Sequence, residues 1–175
     1  EEDLGLIPVI NKIDLPNADP EGVARQVQQV IGLPKDEILF ASAKEGIGTQ
    51  AILEAVVQRI PPPTGDPNAP LRALIFDSKY DSYKGVIAYV RVFDGTVKRG
   101  DRIRMLGSSS VTEAVEVGVF RPELTATSEL SAGQVGYIAT GFKEVDESRV
   151  GDTVAMESRQ DAEPLPGYAP QKLMV

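Results

Sequence analysis

The chain has 175 residues, 42% hydrophobic and 25% charged, with a net charge of −8 and no cysteine, histidine or tryptophan. That is an ordinary globular composition; it excludes disulfide frameworks, Cys-ligated metal clusters, thiol nucleophiles and imidazole chemistry within the chain. The acidic balance also excludes bulk electrostatic attraction to nucleic acid, so any RNA contact has to come from a local patch.

No apolar run approaches the 18 residues of a membrane span, and the start, Glu1-Glu2-Asp3, has neither the basic nor the apolar region of a signal peptide. Leu6–Ile10 is a short apolar run, expected as a strand covered on both faces, and Pro8 inside it points to an edge or a bulge. Asp19-Pro20-Glu21 reads as a helix start: Asp as N-cap, Pro at the first helical position, Glu in the first turn. Val23, Val27, Val30 and Ile31 recur at helical spacing, and Gly32 ends the helix. Glu37–Ala41 reads as a second strand. Thr49–Ile60 reads as a second helix that buries Ile52, Ala55, Val56 and Ile60. Two strands joined through a helix imply a parallel pair with a right-handed crossover.

Residues 61–70 hold five prolines. They cannot lie in a helix or a central strand, and they predict a stiff polyproline spacer between domain 1–60 and domain 71–157. Beyond it the pattern changes. Leu71–Phe76, Val86–Phe93, Arg102–Leu106, Val111–Phe120, Val135–Thr140 and Thr153–Met156 are strand-like runs; Asp94-Gly95, Gly100-Asp101 and Gly151-Asp152 mark turns between them. Short strands without a helix predict a small antiparallel barrel or sandwich. Residues 158–175 carry Pro164, Pro166 and Pro170 and read as a linker toward a further domain.

Chemistry is concentrated at two strand ends. Asn11-Lys12-Ile13-Asp14 follows the first strand, where open α/β sheets bind ligands. A carboxylate there can accept hydrogen bonds from the N1 and N2 donors of guanine, a pair that adenine lacks, and an unpaired carboxylate rejects the wrong base. The Lys stem can lie along the base with its ammonium in water, and the Asn amide can tie the base to a neighbouring loop. The second strand ends in Ala41-Ser42-Ala43-Lys44, whose small residues let backbone N–H groups approach a ligand carbonyl. Taken singly, either tetrapeptide also reads as an ordinary turn. In the barrel, Lys98, Arg99, Arg102 and Arg104 cluster around Asp101 and offer either a contact to RNA phosphates or a solvated hairpin. Tyr80, Tyr83 and Tyr89 are available for base stacking or for packing the barrel.

Together these segments resemble the translational GTPases. Asn11-Lys12-Ile13-Asp14 is similar to the guanine-specificity motif of P-loop GTPases, and Ser42-Ala43-Lys44 to their second base-contacting motif. Arg91–Asp101 and Leu130–Gly136 resemble the β-barrel second domain of translation factors. Arg59-Ile60-Pro61-Pro62-Pro63, the run Gly65–Leu71 and Leu74–Ser78 resemble elongation factor 4, the LepA-type family, and the resemblance runs through the whole chain.

The resemblance implies an α/β plus all-β fold: the β-α-β-α C-terminal part of a GTP-binding domain, then a β-barrel second domain. It implies that Asn11, Lys12 and Asp14 select guanine, that Ser42 and Ala43 support the base, Ala43 through its N–H, and that Lys44 closes the turn. It further implies GTP or GDP as ligand, with Mg²⁺ in the intact protein, and the ribosome as partner through ribosomal RNA or tRNA. The location implied is cytoplasmic or inside an organelle, with peripheral membrane association suggested by the family alone; no homo-oligomer is indicated. The family's role is to reverse or rescue a translocation step. The chain departs from the family's pattern: it has no Gly-x-x-x-x-Gly-Lys-Ser/Thr, no Gly-Lys pair and no His, while Asp19-Pro20-Glu21-Gly22 lies after the guanine motif and reads better as a helix cap. This predicts an internal fragment with no catalytic or metal-binding residue of its own and no hydrolysis alone. Two other readings stay open: a non-catalytic ribosome- or RNA-docking module, and a different translational GTPase. The charge is −5 over residues 1–60 (5 basic, 10 acidic) and −3 over 61–157 (11 basic, 14 acidic), so the barrel holds most of the basic residues.

Overall fold

Asp19 caps the first helix as its position predicts. In the computed structural model, which describes residues 5–166, its carboxylate accepts the Gly22 N–H at 2.9 Å and Pro20 opens α1 (Pro20–Ile31). Gly32, in the left-handed region at φ 79°, closes the helix by donating to the Gln28 carbonyl. The helix connects β1 (Val9–Ile10) to β2 (Leu39–Phe40), which pair in parallel with Val9 opposite Leu39. Pro8 stands just before β1 and takes part only as an acceptor, from Leu39 N–H at 2.9 Å. α2 (Thr49–Arg59) follows. These elements make one of two compact units, Glu1–Pro62; the other is Pro63–Val175.

The first unit is thinner than its sequence predicts. Each expected five-residue strand shortens to two residues, and the start of the second becomes a 3₁₀ turn, Lys35–Glu37. The valine stripe of α1 is not a buried face: Val30 is 85% and Ile31 57% exposed, and the helix packs through Ala24 instead. Of the residues expected inside from α2, only Ala55 is buried; Ile52 is half-buried and Val56 and Ile60 are exposed. A sheet two strands wide and two residues deep cannot cover two helices.

The second unit has ten strands: β3 (Arg72–Asp81), β4 (Gly85–Asp94), β5 (Thr96–Lys98), β6 (Arg102–Met105), β7 (Val111–Glu113), β8 (Glu116–Arg121), β9 (Glu123–Ala126), β10 (Glu129–Ser131), β11 (Val135–Ala139) and β12 (Thr153–Met156). Eight form an antiparallel sheet in the order β7-β6-β12-β3-β4-β11-β8-β9, and β5 pairs with β10 separately. The run Val111–Phe120 breaks at Ala114 and Val115. Ala114 exchanges hydrogen bonds with Gly100 and Asp101, beside β6, whereas Val115 N–H donates to the Ala139 carbonyl of β11. The chain thus crosses between distant places in the strand order within two residues, which requires the sheet to roll up. Consistently, Ile103 of β6, Val117 of β8, Val97 of β5 and Leu130 of β10 share one fully buried core. This is the antiparallel β-barrel expected from the sequence. At the Asp94-Gly95 turn, Gly95 sits at φ 74°, and a Cβ there would lie 2.6 Å from Leu71 backbone atoms, so no other residue fits.

Two expected linkers are built into this unit. Over residues 61–70 the expectation was a stiff spacer, yet Asp66 N–H donates to the Asp94 carboxylate (3.3 Å), Gly95 N–H donates to the Asp66 carbonyl (2.9 Å), and Asp66–Ala69 forms a closed turn. Polar Asp and Asn between the prolines supply the anchors. In the predicted tail 158–175, Leu165 is buried and its N–H donates to Thr153 Oγ1 at 2.9 Å, which ties that point of the segment to the barrel; residues 167–175 lie outside the described residues.

Outside the core, Tyr137 is fully buried, and its hydroxyl donates to Glu116 Oε1 at 2.6 Å, the oxygen that also accepts Lys84 Nζ at 2.7 Å. Burial pushes the tyrosine pKa up, and its bond to Glu116 adds to the shift. Lys84 first, then Tyr137, holds the Glu116 pKa below its ordinary 4.5. A depressed folded pKa contributes stability that is present above the unfolded value and lost as pH falls through the folded one. The melting temperature of the barrel is therefore expected to fall as pH drops below about 4.5, and Glu116→Gln to flatten that fall. Thermal melts from pH 7 to pH 3 check this; parallel profiles for the two proteins would remove Glu116 from the account.

Candidate functional site

The tips of β1 and β2 converge because the parallel ladder continues past both strands. Ala41 N–H donates to the Ile10 carbonyl at 2.9 Å, and Ile13 N–H donates to the Ala41 carbonyl at 3.2 Å. Lys12 adopts φ 67°, a left-handed conformation rare for a residue with a long side chain. That turn sends the chain from β1 back across the end of β2. Two side-chain bonds then join the loops. Asn11 Oδ1 accepts the Ala43 N–H at 3.0 Å, and Ser42 Oγ donates to Asp14 Oδ1 at 2.6 Å.

Ser42 has a second task. Its Oγ accepts the Glu45 N–H at 3.2 Å, while its backbone exchanges two 3.0 Å bonds with Ile47. The loop of residues 42–47 is thereby closed at its base. Gly48 makes the closure feasible: at φ 76° it lies so near the Phe40 carbonyl that a Cβ would come within 2.2 Å of that oxygen. Ser42 itself is wholly buried. Its hydroxyl is engaged by Asp14 and by its own loop. Lys12 and Lys44 are exposed, and Lys44 Nζ lies 3.2 Å from Glu45 Oε1.

The geometry suits a planar ligand that donates to a carboxylate. Asp14 is half-buried, with one oxygen fixed by Ser42 and the other turned to no partner among the described residues. The Ala43 N–H is exposed and shared with Asn11, within reach of a carbonyl. No group of three or more His, Cys, Asp or Glu side chains placed to hold a metal ion occurs among the described residues. The loop closure by Ile47 and Gly48, and the Ser42–Asp14 bond, escaped sequence reasoning. The two glycines at 46 and 48 were the available signal.

The basic cluster of the barrel is largely engaged. Arg102 makes a bidentate pair with Glu157 (2.8 and 3.3 Å), and Lys98 Nζ lies 3.3 Å from Glu129. Arg104 is half-buried and donates to the Arg159 carbonyl at 3.3 Å. Arg99 is the exposed member for which no pairing is seen among the described residues. Sequence spacing brings the four cations together; the acids that pair with them come from β10 and from the segment after β12. Of the three tyrosines, Tyr89 packs edge-on against Phe120 with centroids 5.0 Å apart, whereas Tyr83 is 97% exposed.

Two family models match the chain: the Elongation factor Tu GTP binding domain over residues 1–62 and Elongation factor Tu domain 2 over residues 85–155. Relatives named Elongation factor 4 align along its entire length. That of Aquifex aeolicus (strain VF5) is 54% identical and that of Bacillus subtilis (strain 168) 52% identical, with 100% of this chain and 29% of each relative covered. That of Thermotoga maritima is 55% identical, with 28% of the relative covered. Among solved structures, a bacterial selenocysteine-specific elongation factor, EF-Sec, superposes with a TM-score of 0.67 at 17% identity, over 85% of this chain and 26% of that one, and so shares the fold. The chain spans under a third of the curated relatives it matches, and at more than half identity from end to end it belongs to the elongation factor 4 family of translation factors.

Proposed function

We propose that residues 5–62 form the guanine-recognising part of the nucleotide site in a ribosome-dependent GTPase, and that the intact protein acts on translocation in protein synthesis. The observation that carries the reading is the Ser42–Asp14 bond at 2.6 Å. It fixes one carboxylate oxygen of Asp14 from the neighbouring strand and leaves the other for the base. Asp14 then accepts N1–H and N2–H of guanine, the Ala43 N–H meets its carbonyl, Asn11 ties the two loops together, and the Lys12 stem lies against the base plane. Asp14 rejects adenine, which lacks that donor pair and would leave the carboxylate unpaired, a stronger filter than shape. GTP supplies the phosphoryl group and Mg²⁺ the charge neutralisation when bound; the residues described here orient the base and neither position water nor hold phosphate. The ribosome is the proposed partner, and the cytoplasm the working compartment.

The test compares the intact protein with the chain of residues 1–175. The intact protein is expected to hydrolyse GTP, but not ATP, at a rate that rises on adding ribosomes, whereas the chain alone releases no phosphate from GTP above buffer. Equal use of ATP by the intact protein would remove the guanine assignment, and turnover by the chain alone would remove the assignment of hydrolysis to other parts of the protein.

A further inference from the structure

Away from the strand tips of the first unit, the barrel carries a hollow of about 610 Å³ between the β6–β7 loop and the segments on either side of β12. Its volume falls in the range of small-molecule sites. Two guanidinium groups, Arg104 and Arg149, stand on its wall, and Leu106, Val150, Ala162 and Pro164 make the apolar remainder. Neither arginine is neutralised at close range. Arg104 spends one terminal nitrogen on the Arg159 carbonyl at 3.3 Å, and its Nε–H is shut off from solvent with no hydrogen-bond partner among the described residues. Arg149 Nε donates to the Asp146 carbonyl at 3.1 Å, and the Asp146 carboxylate stands 4.0 Å off.

Asp152, the acid on the same wall, is already saturated. Its carboxylate accepts the N–H groups of Gly107 (2.6 Å), Ser108 (3.1 Å) and Thr153 (2.6 Å). Ser109 of the β6–β7 loop is exposed at φ 61°. The two guanidinium groups are the cationic donors on this wall, and the Asp152 carboxylate beside them is engaged by backbone N–H groups. Planar guanidinium forks match the oxygens of phosphate and carboxylate groups.

We propose that this hollow is a binding site for a phosphorylated ligand, with phosphate oxygens held by Arg104 and Arg149 and a planar or apolar portion laid against Leu106, Val150 and Pro164. The net charge of −8 gives no long-range attraction, so recognition is by short-range contact. The phosphate has two sources of the same chemistry, a free nucleotide-sized compound or the backbone of an RNA strand, and both meet the same residues.

Amide chemical shifts of the 175-residue chain, titrated separately with inorganic phosphate, adenosine 5′-monophosphate and a single-stranded RNA hexamer, test the site. Saturable shifts centred on Gly107, Ser109, Val150 and Gly151 are expected with all three. Arg149→Gln and Arg104→Gln are each expected to weaken binding by about ten-fold. Tighter binding of the monophosphate identifies a small ligand, and tighter binding of the hexamer a strand. Arg149 is exposed, so its substitution keeps the test valid if the Arg104 variant folds poorly. Absence of saturable shifts in this loop set, or shifts unchanged by Arg149→Gln, would overturn the proposal.

Discussion

Asp14→Ala is expected to lower the affinity of the intact protein for GDP by about 10²–10⁴-fold, because on the proposed function it removes the acceptor for two donors of the base, each a charge-assisted bond of roughly 1.5–3 kcal/mol. The chemistry gives a sharper readout than affinity alone. Inosine diphosphate lacks the N2 amino group, so the native protein should prefer GDP to it by the value of one such bond. Asp14→Ala should abolish that preference. Ser42→Ala should act in the same direction with a smaller effect, because it frees a carboxylate oxygen now fixed at 2.6 Å without removing the carboxylate. Titrations of the three proteins with both nucleotides decide the matter; an unchanged preference in Asp14→Ala means that the base is read elsewhere.

Asp152→Ala is expected to damage the barrel more than any surface change. The side chain is 9% exposed and caps three backbone N–H groups with its two oxygens. Truncation leaves three N–H donors without their protein acceptor. At about 1–3 kcal/mol for each orphaned donor, partly offset by relaxation of the β6–β7 loop, the loss is roughly 3–5 kcal/mol. For a unit of this size that corresponds to a drop in melting temperature of about 15–30 °C. Asp152→Asn keeps one oxygen acceptor and should fall between. Calorimetry of the three proteins measures it, and a drop of only a few degrees for Asp152→Ala would show that the loop finds other partners.

The parts that could be read from sequence were those governed by local chemistry. Asp19, Pro20 and Gly32 set the ends of α1 through short-range bonds, and the structure places both ends there. Five of the six barrel runs became single strands, because alternation of Val, Ile and Tyr records which face is covered, while Val111–Phe120 became two. What local chemistry does not encode was missed. β5, β9 and β10 are three or four residues long and exist because a partner strand is present. The break at Ala114 is a change of partner, and nothing in Val111–Phe120 spells it. In the site, Asn11, Lys12, Asp14, Ser42, Ala43 and Lys44 were all legible as residues. The division of labour was not: Ser42 faces Asp14 across 28 positions of sequence, and only the parallel ladder between β1 and β2 brings them together. The pairing of the barrel's cations was hidden for the same reason, since Glu129 of β10 and Glu157, just after β12, reach Lys98 and Arg102 from far along the sequence.

β12 enters the eight-stranded sheet between β3 and β6, pairing with both. The last strand of the barrel to leave the ribosome is therefore an interior one. Until residues 153–156 are made, β3 and β6 each present an open edge, and the hydrophobic positions on their inner faces have no closed interior to occupy. Such a barrel cannot be built vectorially as it is synthesised. Its final closure waits on long-range pairing, which is slow relative to helix formation, and a chain interrupted just short of Thr153 exposes two adjacent edges of the kind that recruit strands from other molecules.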